Sequence, residues 1–371
     1  MGKRFRLDNY SAQYNKVSGL QNLKVCFIAG TFGQGGAERQ LYYMLCTLLS
    51  QGANATVCCL TKDEFWEKEI RALGIPVIWV GKQSNRMLRL FNIVRCVHSI
   101  RPDILQSAHF YTNLYATIAG RILQIAATGR IFGMLNLKLP RFIAGNSRSG
   151  IENAQKLGMP DRKLFFLPNV IDIGLFALTL KKTSSRVVLL AAGRLVEQKR
   201  LDKFIRLLAN LKTTSPVKVT GLIAGDGPLL ASLKEKCRLA GLTGEELQFL
   251  GKMKNMAPVY DEADVFILTS DWEGTPNVVM EAMASGLPVV ATNVGGINDL
   301  ISNGENGYLI EKDNEEALFK KTYQLIHNSA LRDSLGTKAR EFIRQHHALE
   351  ILLHYLKQLY GRAIQSRTWF R

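Results

Sequence analysis

The stretch Lys24-Val25-Cys26-Phe27-Ile28-Ala29-Gly30-Thr31-Phe32-Gly33-Gln34-Gly35-Gly36-Ala37-Glu38 decides the fold of this chain. Residues 24–29 form a short apolar run of the length of a buried strand. Glycines then punctuate residues 30–36, and residues 37–50 return apolar side chains at helical spacing. A strand, a glycine-rich loop and a helix in that order open a doubly wound α/β unit. The alternation continues, with strands expected at 55–60, 77–80 and 104–106. Helices are expected to end near residue 73 and to cover 88–99 and 111–125, followed by short strands at 142–146 and 164–167. As a dinucleotide fingerprint the loop fails. Counting G-x-G-x-x-G from Gly33 puts Glu38 where the third glycine belongs, so a nicotinamide dehydrogenase is a weak reading.

Pro168-Asn169-Val170-Ile171-Asp172 closes this half, residues 179–185 read as a polar linker, and a second alternating series begins at 187–191. Its helices are expected at 202–211 and 228–240 and its strands at 218–224, 248–250, 265–268 and 288–291, with a last helical stretch from Glu315. The expected organisation is a flexible leader over 1–20, a first domain over 21–178 and a second over 179–345. A C-terminal segment over 346–371, amphipathic across 347–361, would pack back on the first domain. The fold class is therefore α/β, with two doubly wound Rossmann-like domains facing across a cleft. In such sheets ligands bind at the carboxyl ends of the strands.

Bulk properties agree with two cores of ordinary size in 371 residues. No apolar run approaches the ~18 residues of a membrane span, and no signal-peptide core follows the basic residues 1–6. The six cysteines lie mostly in apolar runs without a CxxC pair, which points to buried thiols and a reducing cytosol. The net charge of +17 is uneven: residues 1–170 carry 22 Lys and Arg against 9 Asp and Glu. That half suggests an anionic surface or ligand, with a merely solvated basic face as the alternative. No basic run interleaved with aromatics occurs, so nucleic acid is not expected. An anionic membrane face meeting an amphipathic surface on the first domain is the better reading, for a cytoplasmic protein on the inner face of the membrane.

Chemistry concentrates in Ser270-Asp271-Trp272-Glu273-Gly274-Thr275-Pro276-Asn277-Val278-Val279-Met280-Glu281-Ala282-Met283, after the apolar run at 265–268. Gly274 and Pro276 break that run, with Pro276 suited to the first helical position. The N–H groups of Asn277, Val278 and Val279 would then be unpaired at a helix N-terminus, which attracts phosphate. Glu273 precedes this anion site and Glu281 follows inside the helix; carboxylates there suit the hydroxyls of a sugar-like ligand. An ordinary strand–loop–helix with two surface glutamates is the alternative. Gly193-Arg194-Leu195-Val196-Glu197-Gln198-Lys199 adds a bidentate guanidinium and a mobile ammonium, a pair suited to a diphosphate. Gly225-Asp226-Gly227-Pro228 reads as a structural turn.

Taken together, these residues resemble the retaining GT-B glycosyltransferases of the nucleotide-sugar-using family numbered 4, the glycosyl transferases group 1. The resemblance is carried by Gly193-Arg194 with Lys199, by Gly225-Asp226-Gly227-Pro228 and by the E-x7-E pair Glu273 and Glu281. The run from Ala282 to Gly296, Gly35-Gly36-Ala37-Glu38-Arg39 and Pro168-Asn169-Val170-Ile171-Asp172 fit it too. It spans residues 23–361, tightest over 186–310 and loosest over 60–140. The resemblance implies that Arg194 and Lys199 grip the donor diphosphate together with the backbone at Gly35 and Gly36. Glu281 would bind ribose hydroxyls. Glu273, with the backbone of Gly274, Thr275, Pro276, Asn277 and Val278, would hold the donor sugar and phosphate. Glu273, Arg194 and Lys199 would carry a transfer with retention to a glycan or lipid-linked acceptor in polysaccharide or lipopolysaccharide synthesis. The nucleotide diphosphate sugar would be a co-substrate with no further cofactor. No metal is expected, since no D-x-D motif or His/Cys ligand cluster lies near the cleft residues.

Three departures from the family pattern are small: Gln198 for Glu and Arg200 for Gly are tolerable, and Asp299 for Glu is conservative. A fourth is larger. At Gln124-Ile125-Ala126-Ala127-Thr128-Gly129-Arg130 the family has a further apolar strand and a polar loop, whereas this chain passes almost directly to Phe132. The first domain is therefore expected to be shortened by a strand. On that ground a degenerate protein that binds a nucleotide sugar without transferring it is the alternative function. His109 is then the acceptor-side candidate, against a structural, hydrogen-bonded role. His98, His327, His346, His347 and His354 carry no signal.

Overall fold

In the computed structural model of the chain, residues 20–81, 85–130, 142–176 and 186–365 are described. The expected leader up to residue 19 and the expected linker at 179–185 lie outside these residues. The chain divides into two compact units, one running from Ile171 to Ala348 and the other formed by the residues up to Val170 together with those from Leu349.

The N-terminal unit alternates strand and helix: β1 (Lys24–Ala29), α1 (Gly36–Ser50), β2 (Asn54–Cys59), α2 (Phe65–Ala72), β3 (Val77–Trp79), α3 (Arg86–Ile100) and β4 (Ile104–Ser107). Then follow α4 (Asn113–Ile122), β5 (Ala126–Arg130), β6 (Phe142–Gly145), α5 (Arg148–Lys156) and β7 (Leu164–Phe166). The seven strands form one parallel sheet in the order β3-β2-β1-β4-β5-β6-β7. Strand β1 shows why its sequence is a continuous apolar run. Val25, Phe27 and Ala29 enter the core on one side of the sheet, while Cys26 and Ile28 enter that on the other. Side chains alternate along a strand, so a sheet covered by helices on both faces asks for apolar residues throughout.

The expected missing strand is present. Strand β5 pairs with β4 on one side and β6 on the other, so the sheet is continuous where a gap was expected. Its sequence hides it because Ala126, Ala127, Thr128 and Gly129 have little apolar bulk and weak strand preference. Packing explains the small residues. A Cβ on Gly120 of α4 would lie 2.8 Å from the Ala127 Cβ, so the helix rests directly on this strand. The residues between β5 and β6, 131–141, lie outside the described ones. Helix α5 and its cap, where Ser147 Oγ accepts from the Gly150 N–H at 3.1 Å, were also not expected.

The second unit holds β8 (Arg186–Ala192), α6 (Leu201–Thr214), β9 (Lys218–Ala224), α7 (Leu230–Leu239), β10 (Leu247–Gly251), α8 (Ala257–Glu262) and β11 (Val265–Leu268). Then come α9 (Asn277–Ala284), β12 (Val289–Thr292), β13 (Tyr308–Ile310), α10 (Glu315–Ile326) and α11 (Ser329–His346). Six parallel strands are ordered β10-β9-β8-β11-β12-β13. Strands β8 and β11 lie side by side at its centre and again feed two cores, with Val265 and Ile267 on one face and Phe266 and Leu268 on the other. Each such fully buried side chain stabilises the unit by ~1.5–3 kcal/mol. The last helix, α12 (Leu352–Gln365), belongs to the N-terminal unit and packs on α1, β4 and β5. Its buried Tyr360 donates its hydroxyl to Gln106 Oε1 at 2.5 Å.

Candidate functional site

In the second unit the chain leaves β8 through Gly193 and Arg194 and leaves its neighbour β11 through Thr269 and Ser270. The carboxyl ends of adjacent strands thus bring the two predicted clusters together. Lys199 Nζ donates to Glu273 Oε1 at 2.5 Å, and Ser270 Oγ donates to the same oxygen at 2.6 Å. Both side chains of the ion pair are largely shielded from solvent. The other carboxylate oxygen, Oε2, accepts no hydrogen bond from the described residues, so it is open to a hydroxyl. Arg194, on the same loop as Lys199, is exposed.

The loop that carries Glu273 is held from three sides. Gln198 donates its Nε2 to the Trp272 carbonyl at 2.7 Å and accepts the Asp271 N–H on its own carbonyl at 2.8 Å. Thr292 Oγ1 donates to the Ser270 carbonyl at 2.6 Å, and the Gly296 N–H donates to the Gly274 carbonyl at 3.1 Å. Gly295 adopts φ +57° and comes so close that a Cβ would sit 1.8 Å from the Glu273 carbonyl oxygen. No larger residue fits that position without moving the loop.

Helix α9 begins one residue later than expected. Pro276 is its N-cap rather than its first helical residue, and its carbonyl accepts the Val279 N–H at 3.1 Å. Val279 is therefore not one of the unpaired donors. The Val278 N–H has no partner among the described residues, and no side chain caps this end. One turn further in, Glu281 is only 2 % exposed. Its Oε2 accepts the hydroxyl of Tyr260 at 2.9 Å, and Tyr260 is itself fully buried under Phe176 and Phe266.

Arg200 explains one departure from the family pattern. It caps α6 with φ +46° and ψ +43°, the left-handed region that glycine occupies without cost and that costs another residue about 1–2 kcal/mol. Its guanidinium is fixed by Asp202 at 3.1 Å and Asp271 at 3.3 Å, so the charge that replaces glycine also ties the Glu273 loop to α6. Burial pushes the Asp202 carboxyl up, but hydrogen bonds from Arg200 and Arg206 outweigh it and hold the group below the ordinary range. Arg206 likewise lowers Glu315, its partner at 2.6 Å. Gly225, read as structural, is so. At φ +144° it lies where a Cβ would be 1.8 Å from the Gly193 carbonyl oxygen, and the turn that follows braces Leu195 beside Arg194.

The remaining predicted residues lie in the N-terminal unit. The Gly30 N–H donates to His109 Nδ1 at 3.1 Å, so the other ring nitrogen carries the proton, and Nε2 meets Glu38 Oε1 at 3.1 Å. His109 is 6 % exposed with both nitrogens engaged, and Tyr111 stacks on its ring. Burial, with the nearby Glu38 adding to it, raises the Tyr111 hydroxyl to about 12. Gly35 is the N-cap of α1, where a Cβ would come within 2.2 Å of Glu38 Oε2, and Gly36 is the first residue of that helix. Glu38 therefore joins His109 to the glycine loop. Sequence reasoning missed that role, and also the roles of Tyr260 and Ser270. For Glu38 there was a signal, because it occupies the very place that spoils the dinucleotide fingerprint.

Comparison with known proteins places both units. Residues 179–342 match the family described as glycosyl transferases group 1, and residues 34–175 match glycosyltransferase family 4. The GalNAc-alpha-(1->4)-GalNAc-alpha-(1->3)-diNAcBac-PP-undecaprenol alpha-1,4-N-acetyl-D-galactosaminyltransferase of Campylobacter jejuni is 25% identical over 90% of this chain and 98% of its own length. The N-acetyl-alpha-D-glucosaminyl L-malate synthase of Bacillus anthracis is 28% identical, but the match covers only 58% of each chain. In fold, the chain is similar to Anabaena HepE in complex with UDP-glucose, with a TM-score of 0.80 over 91% of this chain and 99% of that one, at 20% identity. With a family match in each unit and two parallel Rossmann-like sheets, this chain belongs to the group 1 glycosyltransferases, enzymes of the GT-B fold.

Proposed function

We propose that this chain moves a sugar from a nucleotide diphosphate sugar to a hydroxyl of a glycan or lipid-linked acceptor, with retention at the anomeric carbon. The observation that carries the reading is the donor cradle of the second unit. It combines a half-buried Lys199–Glu273 pair with one open carboxylate oxygen, a helix N-terminus beside it, and Glu281 fixed by Tyr260. Glu281 would accept ribose hydroxyls, and Glu273 Oε2 a hydroxyl of the transferred sugar. Lys199, Arg194 and the Val278 N–H would take up the negative charge that develops on the diphosphate.

In this reaction the bond from the anomeric carbon to the diphosphate oxygen breaks, and the bond to the acceptor oxygen forms on the same face. The acceptor proton passes to the leaving phosphate oxygen, so no protein base is required. That fits the occupied state of His109, whose ring nitrogens are both engaged. The name of the Campylobacter relative, which acts on a glycan carried by undecaprenyl diphosphate, supports an acceptor linked to a lipid diphosphate. The alternative of a binding protein without transfer rested on an absent strand, and strand β5 removes that ground.

The test is a panel of nucleotide diphosphate sugars incubated with the purified chain, with free nucleotide and anomeric products followed by NMR. The expected result is release of nucleoside diphosphate from one donor, slowly to water and faster with a polyprenyl-diphosphate glycan, with an α-anomeric product from an α-configured donor. A β-anomeric product from that donor would overturn retention. Binding without release of nucleotide would overturn transfer.

A further inference from the structure

Three cysteine thiols from three separate elements meet on one face of the N-terminal sheet. Cys26 comes from β1, Cys58 from β2 and Cys96 from α3, which covers that face. Cys58 Sγ lies 3.0 Å from Cys96 Sγ and 3.7 Å from Cys26 Sγ. Its neighbour Cys59 turns to the opposite core, as alternation along a strand requires, and its Sγ meets Thr61 Oγ1 at 3.7 Å. All six cysteines are free thiols, and Cys96 is the one that is not fully buried. Packing alone does not ask for such a cluster. A buried cysteine serves as a small apolar side chain and needs no second sulfur beside it.

Distance singles out one pair. A disulfide bond is about 2.05 Å long, so Cys58 and Cys96 are within roughly 1 Å of bonding. Cys26 is farther away, and on the adjacent parallel strand the direct neighbour of Cys58 is Ile28. Helix α3 keeps Cys96 at this spot through Ile93 and Val97, which are buried in the core that Cys26 and Cys58 also enter. The hydrogen bond with Cys58, and then burial, hold the Cys96 thiol above its ordinary range. Cys58 is raised as well, chiefly through its hydrogen bond with Cys26. The thiolate is the attacking form, so the pair reacts slowly and stays reduced unless oxidant is in excess.

We propose that Cys58 and Cys96 form a reversible oxidation site, a dithiol that a small disulfide of the glutathione class converts to an intrachain disulfide. Cys96, the accessible member, gives up its proton and attacks one sulfur of the oxidant, whose other half leaves as a thiolate and takes up that proton. Cys58 then attacks Cys96 Sγ in the mixed disulfide, and the second half of the oxidant leaves with the Cys58 proton. The two cysteines lose two electrons and two protons together, and the oxidant gains them as two thiols. The new bond fastens α3 to β2, the strand next to the edge strand β3. Both cysteines lie outside the donor cradle, so the site does not rest on the proposed transfer reaction.

The test is incubation of the folded full chain with excess glutathione disulfide and, separately, with the smaller disulfide cystamine. The chain is then unfolded in N-ethylmaleimide and mapped by mass spectrometry. One linked pair of peptides should appear, joining Cys58 to Cys96, with the other four of the six cysteines alkylated. A cross-link restricts the unfolded chain, so the oxidised protein should melt roughly 5 °C higher, and dithiothreitol should restore the starting value. Cys96→Ser should give neither the linked peptides nor the rise. Six alkylated cysteines after both oxidants would overturn the inference. So would a link from Cys58 to Cys26, a mixed disulfide that persists on Cys96, or chains joined to one another through Cys96. A linked protein that melts below the reduced one would overturn it too, because the native geometry would then oppose the bond.

Discussion

The two units share a layout of parallel strands and covering helices, yet they spend their chemistry differently. The second unit gathers polar groups inward: Glu281 on Tyr260, Glu273 on Lys199 and Ser270, and Arg200 between Asp202 and Asp271. The N-terminal unit turns its polar pair, His109 and Glu38, into a sealed brace for the glycine loop and sends apolar side chains outward at its rim. A site built from carboxylates each held by its own hydrogen-bond partner is pre-organised for one small ligand class. Under the proposed function the second unit would specify the donor and the first would handle the acceptor.

The strongest way to break that contrast is Lys199→Ala. It removes a cation from the donor cradle and leaves Glu273 shielded without its partner. Turnover should fall by roughly 100-fold, and stability by about 3 kcal/mol. Wild-type turnover in a folded variant would show that the pair is only structural. Gly295→Ala comes next. A methyl group cannot sit against the Glu273 carbonyl at 1.8 Å, so the loop must shift, costing about 2 kcal/mol and most of the donor affinity. An unchanged melting temperature would contradict the close approach. Tyr260→Phe keeps the ring and removes only the hydroxyl that Glu281 accepts. Donor affinity should drop by roughly fivefold while acceptor KM stays unchanged. A drop in stability alone would make Tyr260 a packing residue.

The smallest expected effect concerns acid. Asp202 and Glu315 are held below their ordinary range by the arginines they face. Groups lowered on folding stabilise the protein above their unfolded pKa of about 4, and that contribution is lost as pH falls through the lowered value. Arg206→Met should therefore melt below the wild type at pH 7 by a small margin, under about 1 kcal/mol for partly exposed pairs. As pH falls through those lowered values that margin should close. A gap that persists in acid would assign it to packing of the arginine stem.

Much of this was legible in the sequence, for reasons that differ between the units. The central strands could be read because burial on both faces forces apolar runs, as in Val265–Leu268. The strand, loop and helix that carry Glu273 and Glu281 could be read because a glycine and a proline break an apolar run there. Strand β5 could not, since a helix resting on it demands a small residue at Ala127 where a strand signal needs bulk. The start of α9 was misjudged by one residue because Pro276 serves an N-cap as well as a first helical position. Tyr260 lies on a different element from Glu281, and no spacing rule connects residues that meet only through tertiary packing.

The central claim is that the second unit holds a nucleotide diphosphate sugar through Glu281. Thermal unfolding of the wild type and Glu281→Ala across nucleotide sugars tests it most directly. At 100 times its dissociation constant one donor should stabilise the wild type by about 2.7 kcal/mol. The variant should need at least roughly tenfold more donor for the same shift. Equal stabilisation of both proteins, or of neither by any nucleotide sugar, would contradict the account.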